Sequence, residues 1–217
     1  DRGQRRRQAR ALQRDAGACC LSVPNGLIEA LKARYAEPQR HYHTWAHIEA
    51  LLGHFRHWES HFHRPEPVLS ALYWHDAIYD PRASDNEERS AQLLEQEAIG
   101  HLPPDDIAFA AMIIRATAGH RMPEGLTGPD ADDLALFLDL DLSSFALPEP
   151  AFERMQHDIR AEYDFVPDDR FRTARKAILK GFLDRERLYL TDLAHAEWDR
   201  AARANLARTI AGLESGA

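Results

Sequence analysis

The sequence predicts an all-α fold, and three observations support this. Apolar residues recur at intervals of three and four along most of the chain, which is the spacing of a buried helix face. Prolines and glycines stand between these segments and mark their ends. Only one stretch has the alternating pattern of a strand, and a lone strand has nothing to pair with. We therefore expect a single-domain bundle of seven to nine helices.

The first half of the chain contains four predicted helices. The first follows Pro24 and has its apolar face in residues 27–35. The second has Thr44 as its expected N-cap and apolar positions through residues 48–55. A short apolar helix covers residues 68–73. The fourth opens at Ser84-Asp85-Asn86-Glu87, which has the Ser-x-x-Glu spacing of a capping box.

The second half contains one ambiguous segment among further predicted helices. An apolar helix covers residues 107–117 and ends before Gly119. Every even position from Leu134 to Leu142 is leucine, which is the period of a strand. We interpret this segment as a helix because leucine and aspartate are poor strand formers. Three long amphipathic segments follow, at residues 149–163, 167–189 and 192–213.

Composition limits the class of protein. The chain has 217 residues, 44% of them hydrophobic, which is enough for one globular core. A net charge of −8 argues against binding to nucleic acid polymers or a membrane surface, and no apolar run is long enough to span a bilayer. Residues 1–22 are expected to be a frayed basic tail without a secretion signal, and residues 23–217 the helical domain. The two adjacent cysteines imply neither a disulfide framework nor a thiolate metal site, so we expect a cytoplasmic protein.

Two His-Asp pairs occur, in different surroundings. His75-Asp76 is flanked by apolar residues, where an ionised carboxylate is costly unless a cation or good hydrogen bonds compensate it. A metal ion would supply that compensation, and backbone donors at a helix end are the alternative. His157-Asp158 lies in a polar stretch and is expected to be a surface pair.

Two further elements carry candidate metal ligands. His43 and His47 are four residues apart, so on a helix they share one face. They could bind one ion together, or one could bind the ion and the other face its substrate. Asp139 and Asp141 lie in a leucine-rich segment and need compensation as Asp76 does. On a helix these two aspartates point in nearly opposite directions, so only one of them is expected to bind the ion.

The ordered set of these elements resembles the signature of HD-domain metal-dependent phosphohydrolases. The cyclic-nucleotide phosphodiesterases have similar elements in the same order, but with Asn where this chain has Thr44 and Ala where it has Leu140. The likeness is greatest to a little-characterised bacterial branch of predicted HD phosphohydrolases, and it runs from about residue 25 through most of the chain. The elements that carry it are Tyr42-His43-x-x-x-His47, His75-Asp-x-x-Tyr79, Asn86-Glu87-x-x-Ser90-Ala91, Thr117-x-x-His120, Asp141-Leu142-Ser143 and Ala202-Arg203-x-Asn205-Leu206.

The resemblance implies an HD-type helical domain with a divalent metal ion held by His47, His75, Asp76 and Asp141. Asp141 is preferred to Asp139 because only Asp141 begins the Asp-Leu-Ser element. Asp76 is also expected to hold the attacking water, and His43 is expected to donate a proton to the leaving group. Nitrogen and oxygen ligands suit manganese, iron, nickel, cobalt or zinc, and magnesium is kept among the candidates.

The expected function is metal-dependent hydrolysis of a phosphomonoester or phosphodiester, with a small nucleotide as the favoured substrate. The candidate substrate-binding residues are Arg40, Asn86, Glu87, His120 and Arg175. For each of these five, a surface or helix-end role is the alternative. The competing functions are a helical metal- or nucleotide-binding sensor without turnover and an interaction bundle without a metal.

Overall fold

The structure, a computed structural model, describes residues 23–215. The predicted basic tail, residues 1–22, lies outside the described residues. The predicted all-α fold is confirmed, because residues 23–215 form nine α-helices and no strand. The helices are α1 (Asn25–Tyr35), α2 (Trp45–Trp58), α3 (Pro65–Trp74), α4 (Asn86–Glu97), α5 (Pro104–Thr117), α6 (Pro129–Asp141), α7 (Glu149–Glu162), α8 (Asp168–Leu183) and α9 (Asp192–Ser215). Two 3₁₀ turns, Glu59–His61 and Leu142–Ala146, directly follow α2 and α6.

Prolines begin three helices, three to five residues before the apolar positions from which we predicted those helices. Pro65, Pro104 and Pro129 occupy the first position of α3, α5 and α6, where proline lacks only an amide that would be unpaired anyway. Thr44 is the N-cap residue of α2, although its side chain makes no capping hydrogen bond. The predicted capping box was wrong: α4 begins two residues after Ser84, and no side chain caps it.

The segment with alternating leucines is the helix α6, as predicted. Its even-numbered leucines from Leu134 to Leu140 are all buried. The helix packs against α2, α3, α5, α9 and the second 3₁₀ turn, so it is surrounded by protein on most sides. A helix buried all round does not need a single apolar stripe, which explains why the sequence lacks the usual helical period there.

Helix α3 lies at the centre of the bundle and packs against α1, α2, α4, α5 and α6. Its residues Val68, Ala71 and Leu72 have no exposed surface. Helix α9 packs on α8 and on the 3₁₀ turn after α6. Within residues 23–215 we find no helix that has both the length and the apolar character needed to cross a lipid bilayer.

Candidate metal centre and adjoining cavity

The predicted metal ligands come from three helices that meet in the core. His47 lies in the first turn of α2, and the buried residues Ile48 and Leu51 anchor that helix. His75 directly follows α3, and Asp141 is the last residue of α6. Both of these positions are at helix C-termini, where the backbone dipoles concentrate partial negative charge. The backbone therefore adds to the attraction of this point for a cation.

The ligand atoms of the predicted set lie close together. One nitrogen or oxygen atom from each of His47, His75 and Asp141 lies within 4.8 Å of the others, a spacing that can hold a metal ion. Asp141 Oδ1 is 3.3 Å from His47 Nε2 and 3.5 Å from His75 Nε2. Asp76 borders this group, with Oδ2 3.1 Å from His75 Nε2 and 3.9 Å from His47 Nε2. The structure thus brings together all four residues predicted as ligands.

The hydrogen bonding of His75 fits a metal ligand. Its Nδ1 lies 2.9 Å from the carbonyl oxygen of Leu72, which can only accept, so Nδ1 carries the proton. In the neutral imidazole, the lone pair of Nε2 then points at the carboxylate oxygens of Asp76 and Asp141. That nitrogen is buried and makes no hydrogen bond. Backbone support of one ring nitrogen and an unpartnered second nitrogen are typical of a metal-binding histidine.

The electrostatics of the group also favour a cation. Burial disfavours a charge on the His75 imidazole, but the carboxylates of Asp76 and Asp141 outweigh burial and raise its pKa well above the ordinary value. Two carboxylates in a buried site need a positive charge near them. A divalent ion would supply that charge and would bind the Nε2 atoms of His47 and His75 in their neutral forms.

His120 supports Asp141 from the opposite side. Its Nε2 lies 2.8 Å from Asp141 Oδ2, while Oδ1 of the same carboxylate faces His47 and His75. His120 has φ of 45°, a left-handed conformation that few residues with a side chain adopt. Its carbonyl oxygen accepts a hydrogen bond from Arg185, which holds the backbone in place. His120, predicted as a substrate-binding residue, therefore contacts a candidate metal ligand.

His43 is held beside the cluster by Glu162, a residue that our sequence reasoning missed. The His43 Nδ1 atom is 2.7 Å from Glu162 Oε2, and the ring stacks on Tyr79 with centroids 4.1 Å apart. Tyr79 donates its hydroxyl hydrogen to the same carboxylate oxygen at 3.0 Å. The other oxygen of Glu162 accepts the backbone amides of His41, Tyr42 and His43. One carboxylate thus fixes both the ring of His43 and the loop that carries it.

The pKa values of this pair are shifted in opposite directions. Burial works to lower the pKa of His43, but the Asp76 carboxylate and the hydrogen bond with Glu162 outweigh it, and the net pKa is raised. Burial works to raise the pKa of Glu162, but the hydrogen bonds from His43 and the backbone lower it to about 2. The imidazolium form of His43 is therefore favoured. Its Nδ1 is hydrogen-bonded to Glu162, and its Nε2 has no hydrogen bond to any described residue.

Asp139 is placed away from the metal cluster. Its Oδ1 accepts the amide of Leu190 at 2.7 Å, and its Oδ2 accepts both the amide and the hydroxyl of Thr191 at 2.7 Å. Burial raises the pKa of this carboxyl to about 6, although these hydrogen bonds oppose the rise. Asp139 therefore anchors the start of α9 to α6. His157, of the second His-Asp pair, is 83% exposed, as expected for a surface residue.

Two predicted substrate-binding residues have structural contacts instead. Arg40 is buried, and its guanidinium donates to the carbonyl oxygens of His43, Asp76 and Ala77. It joins the loop before α2 to the residues after α3, but it does not line the cavity described below. The Asn86 amide pairs with both backbone groups of Asp80 and closes the loop before α4. Neither side chain has a donor directed at the candidate metal centre.

A cavity of about 830 Å³ adjoins the candidate metal centre. Its lining includes His43, His47, Asp76 and Asp141 of the centre. Its lining also includes apolar side chains of α7 and α8, namely Met155, Ile159, Phe171, Ile178 and Phe182. Glu87, His120 and Arg175, three of the predicted substrate-binding residues, also face this cavity. The volume is in the range of small-molecule sites.

Comparisons of the chain with models of protein families, with curated proteins and with solved structures found no match. The function of this chain is therefore inferred from its own residues.

Proposed function

We propose that this protein is a metal-dependent phosphohydrolase that cleaves a phosphate ester, with a small nucleotide as the favoured substrate. The observation that carries the proposal is the position of His43. A site that only bound metal would need the cluster of histidines and aspartates alone. Here a histidine held by Glu162 and Tyr79 stands beside that cluster and faces the same cavity. A proton donor next to a Lewis-acid site is the arrangement that ester hydrolysis requires.

The residues of the cluster would have different roles in the reaction. His47, His75, Asp76 and Asp141 would hold the ion. A divalent ion bound there would polarise a phosphoryl oxygen and lower the pKa of water. Asp76 would also accept a hydrogen bond from the attacking water and so orient it toward phosphorus. His120 would keep Asp141 in position through the hydrogen bond to its second oxygen, Oδ2.

His43 would complete the reaction at the leaving group. As the water oxygen forms its bond to phosphorus, the ester P–O bond breaks and negative charge develops on the departing oxygen. The Nε2–H of the imidazolium would give its proton to that oxygen, so the product leaves as a neutral alcohol. The Glu162 carboxylate stabilises the charged form of His43 before transfer and keeps its ring directed at the cavity.

The test is hydrolysis of a generic aryl phosphate and a panel of nucleotides by chelator-treated protein with Mn²⁺, Co²⁺ or Ni²⁺ added back. We expect the His43→Gln variant to bind metal as the wild type does and to lose about 10²–10⁴-fold in turnover. His41→Gln is the matched control, because this exposed histidine precedes His43 by two residues and its ring makes no hydrogen bond among the described residues. Tight metal binding by the wild type without turnover on any ester would contradict the proposal and indicate a sensor.

A further inference from the structure

Arg175 on α8 has an unsatisfied donor in the wall of the cavity. Its Nε donates to Gln156 Oε1 at 3.0 Å, but its Nη2 is buried and has no hydrogen-bond partner. Among residues 23–215, no carboxylate lies within ion-pair distance of this guanidinium. By contrast, the guanidinium of Arg185, which also lines the cavity, donates to the backbone carbonyls of Gly119 and His120.

A guanidinium that has a buried nitrogen without a partner and no opposite charge beside it is unfavourable for folding. Removing an ion from water costs several kcal/mol unless an opposite charge or hydrogen bonds compensate it. Burial lowers the pKa of Arg175, and the nearby groups that oppose this shift are the hydroxyls of Tyr42, Tyr79 and Tyr163. Groups that cost stability in this way are typical of binding sites, where the ligand supplies the missing partner.

Tyr42 borders the candidate metal centre and lies within electrostatic range of Arg175. Its ring lies beside His43 and His47, with centroids 4.8 Å and 5.1 Å apart. The carboxylates of Asp76 and Asp141 act on its hydroxyl, whereas no carboxylate of the described residues is among the groups that act on Arg175. An anion at Arg175 would therefore occupy a different part of the cavity from a phosphoryl group at the cluster.

We propose that Arg175 forms an anion-binding subsite that takes a phosphate or carboxylate group of the ligand, apart from the metal centre. The walls beside it, which include Ile159, Phe171 and Phe182, are apolar. The ligand that fits both features has an anionic group and a flat or apolar body lying against α7 and α8. This inference rests on the proposed function only in so far as that ligand is taken to be the substrate.

The subsite can be tested without metal or turnover. Chelator-treated protein is titrated with inorganic phosphate and, separately, with acetate, and binding is followed by the NMR signals of the backbone amides and the arginine Nε–H groups. We expect phosphate or acetate to bind the wild type in the millimolar range and to shift the signals of Arg175 and Gln156. Loss of a charge-assisted contact should weaken binding by about tenfold or more in Arg175→Gln. Arg170→Gln is the matched control, because Arg170 is an exposed arginine of the same helix.

Each outcome decides the proposal. Weaker binding in Arg175→Gln with unchanged binding in Arg170→Gln supports the subsite, and the more strongly bound anion identifies the ligand group. Equal binding by the two variants, or wild-type protein that binds neither anion, overturns it. If Arg175→Gln does not fold, the shifts of the Arg175 signals in the wild type give the same decision. A negative result here leaves the hydrolysis proposal intact, because the measurement uses metal-free protein.

Discussion

Replacing Glu162 by Gln tests whether this buried carboxylate organises the loop of His43. The glutamine retains one oxygen for the amides of residues 41–43, but its NH₂ group would face two donors, the His43 Nδ1–H and the Tyr79 hydroxyl. The variant therefore loses the ion pair and places donors against donors. The Glu162 side chain has no exposed surface, so water cannot compensate the loss.

The size of the effect follows from the pKa of Glu162. A pKa lowered from 4.5 to about 2 corresponds to about 3 kcal/mol of unfolding free energy at pH 7, because each pKa unit is worth about 1.4 kcal/mol. The pKa is lower in the folded state, so this stability is present above pH 4.5 and is lost as the pH falls toward 2. At pH 3 the contribution should have fallen to between about 1 and 2 kcal/mol.

The assay is urea denaturation of wild type and Glu162→Gln at pH 7 and pH 3, followed by circular dichroism. We expect the difference in unfolding free energy to shrink by about half over this range. Glu153→Gln is the matched control, because Glu153 is an exposed residue of the same helix. A difference below about 1 kcal/mol at pH 7, or one that does not change with pH, would refute the reasoning.

Three further predictions concern two buried polar side chains and the candidate metal centre. Asp139→Ala should lower the unfolding free energy by about 2–4 kcal/mol, because the amides of Leu190 and Thr191 and the Thr191 hydroxyl lose their acceptor, and should leave metal affinity unchanged; altered affinity in a metal titration would contradict this. Asn205→Ala should lower the unfolding free energy by about 2–3 kcal/mol in urea denaturation, since the buried carbonyl of Phe145 and the partly buried carbonyl of Leu147 lose their donor. An unchanged unfolding free energy would contradict this prediction. Adding Mn²⁺ or Zn²⁺ should raise the melting temperature in scanning fluorimetry progressively with concentration, whereas no shift would argue against a site.

Most of the helices could be predicted from the sequence because each one has a local signal. Apolar spacing and proline positions predicted the helices, including α6, whose alternating leucines mimic a strand. The capping box at Ser84 is absent: α4 begins at Asn86, and the Asn86 side chain closes the preceding loop with the backbone of Asp80. The Ser-x-x-Glu spacing alone did not determine where this helix begins.

Local patterns identified the candidate ligands, namely a His-Asp pair and two aspartates in apolar surroundings and two histidines four residues apart, and the family resemblance selected four residues from among them. The geometry of a helix also predicted that Asp139 and Asp141 would separate, and they do. Glu162 carries no such signal. It contacts His43 across 119 residues, and its stretch reads as an ordinary amphipathic helix. Arg40 shows the converse case. Its position beside the motif suggested a substrate contact, but its guanidinium donates to backbone carbonyls.

The most direct test of the central claim is calorimetric titration of chelator-treated protein with Mn²⁺ or Zn²⁺. Wild type should bind at least one ion per chain, and His75→Gln should bind it at least about tenfold more weakly, because it removes a buried ligand nitrogen. His157→Gln, which alters the exposed histidine of the other His-Asp pair, should match the wild type. Binding in His75→Gln equal to that of the wild type, or no binding in any of the three proteins, would contradict the account.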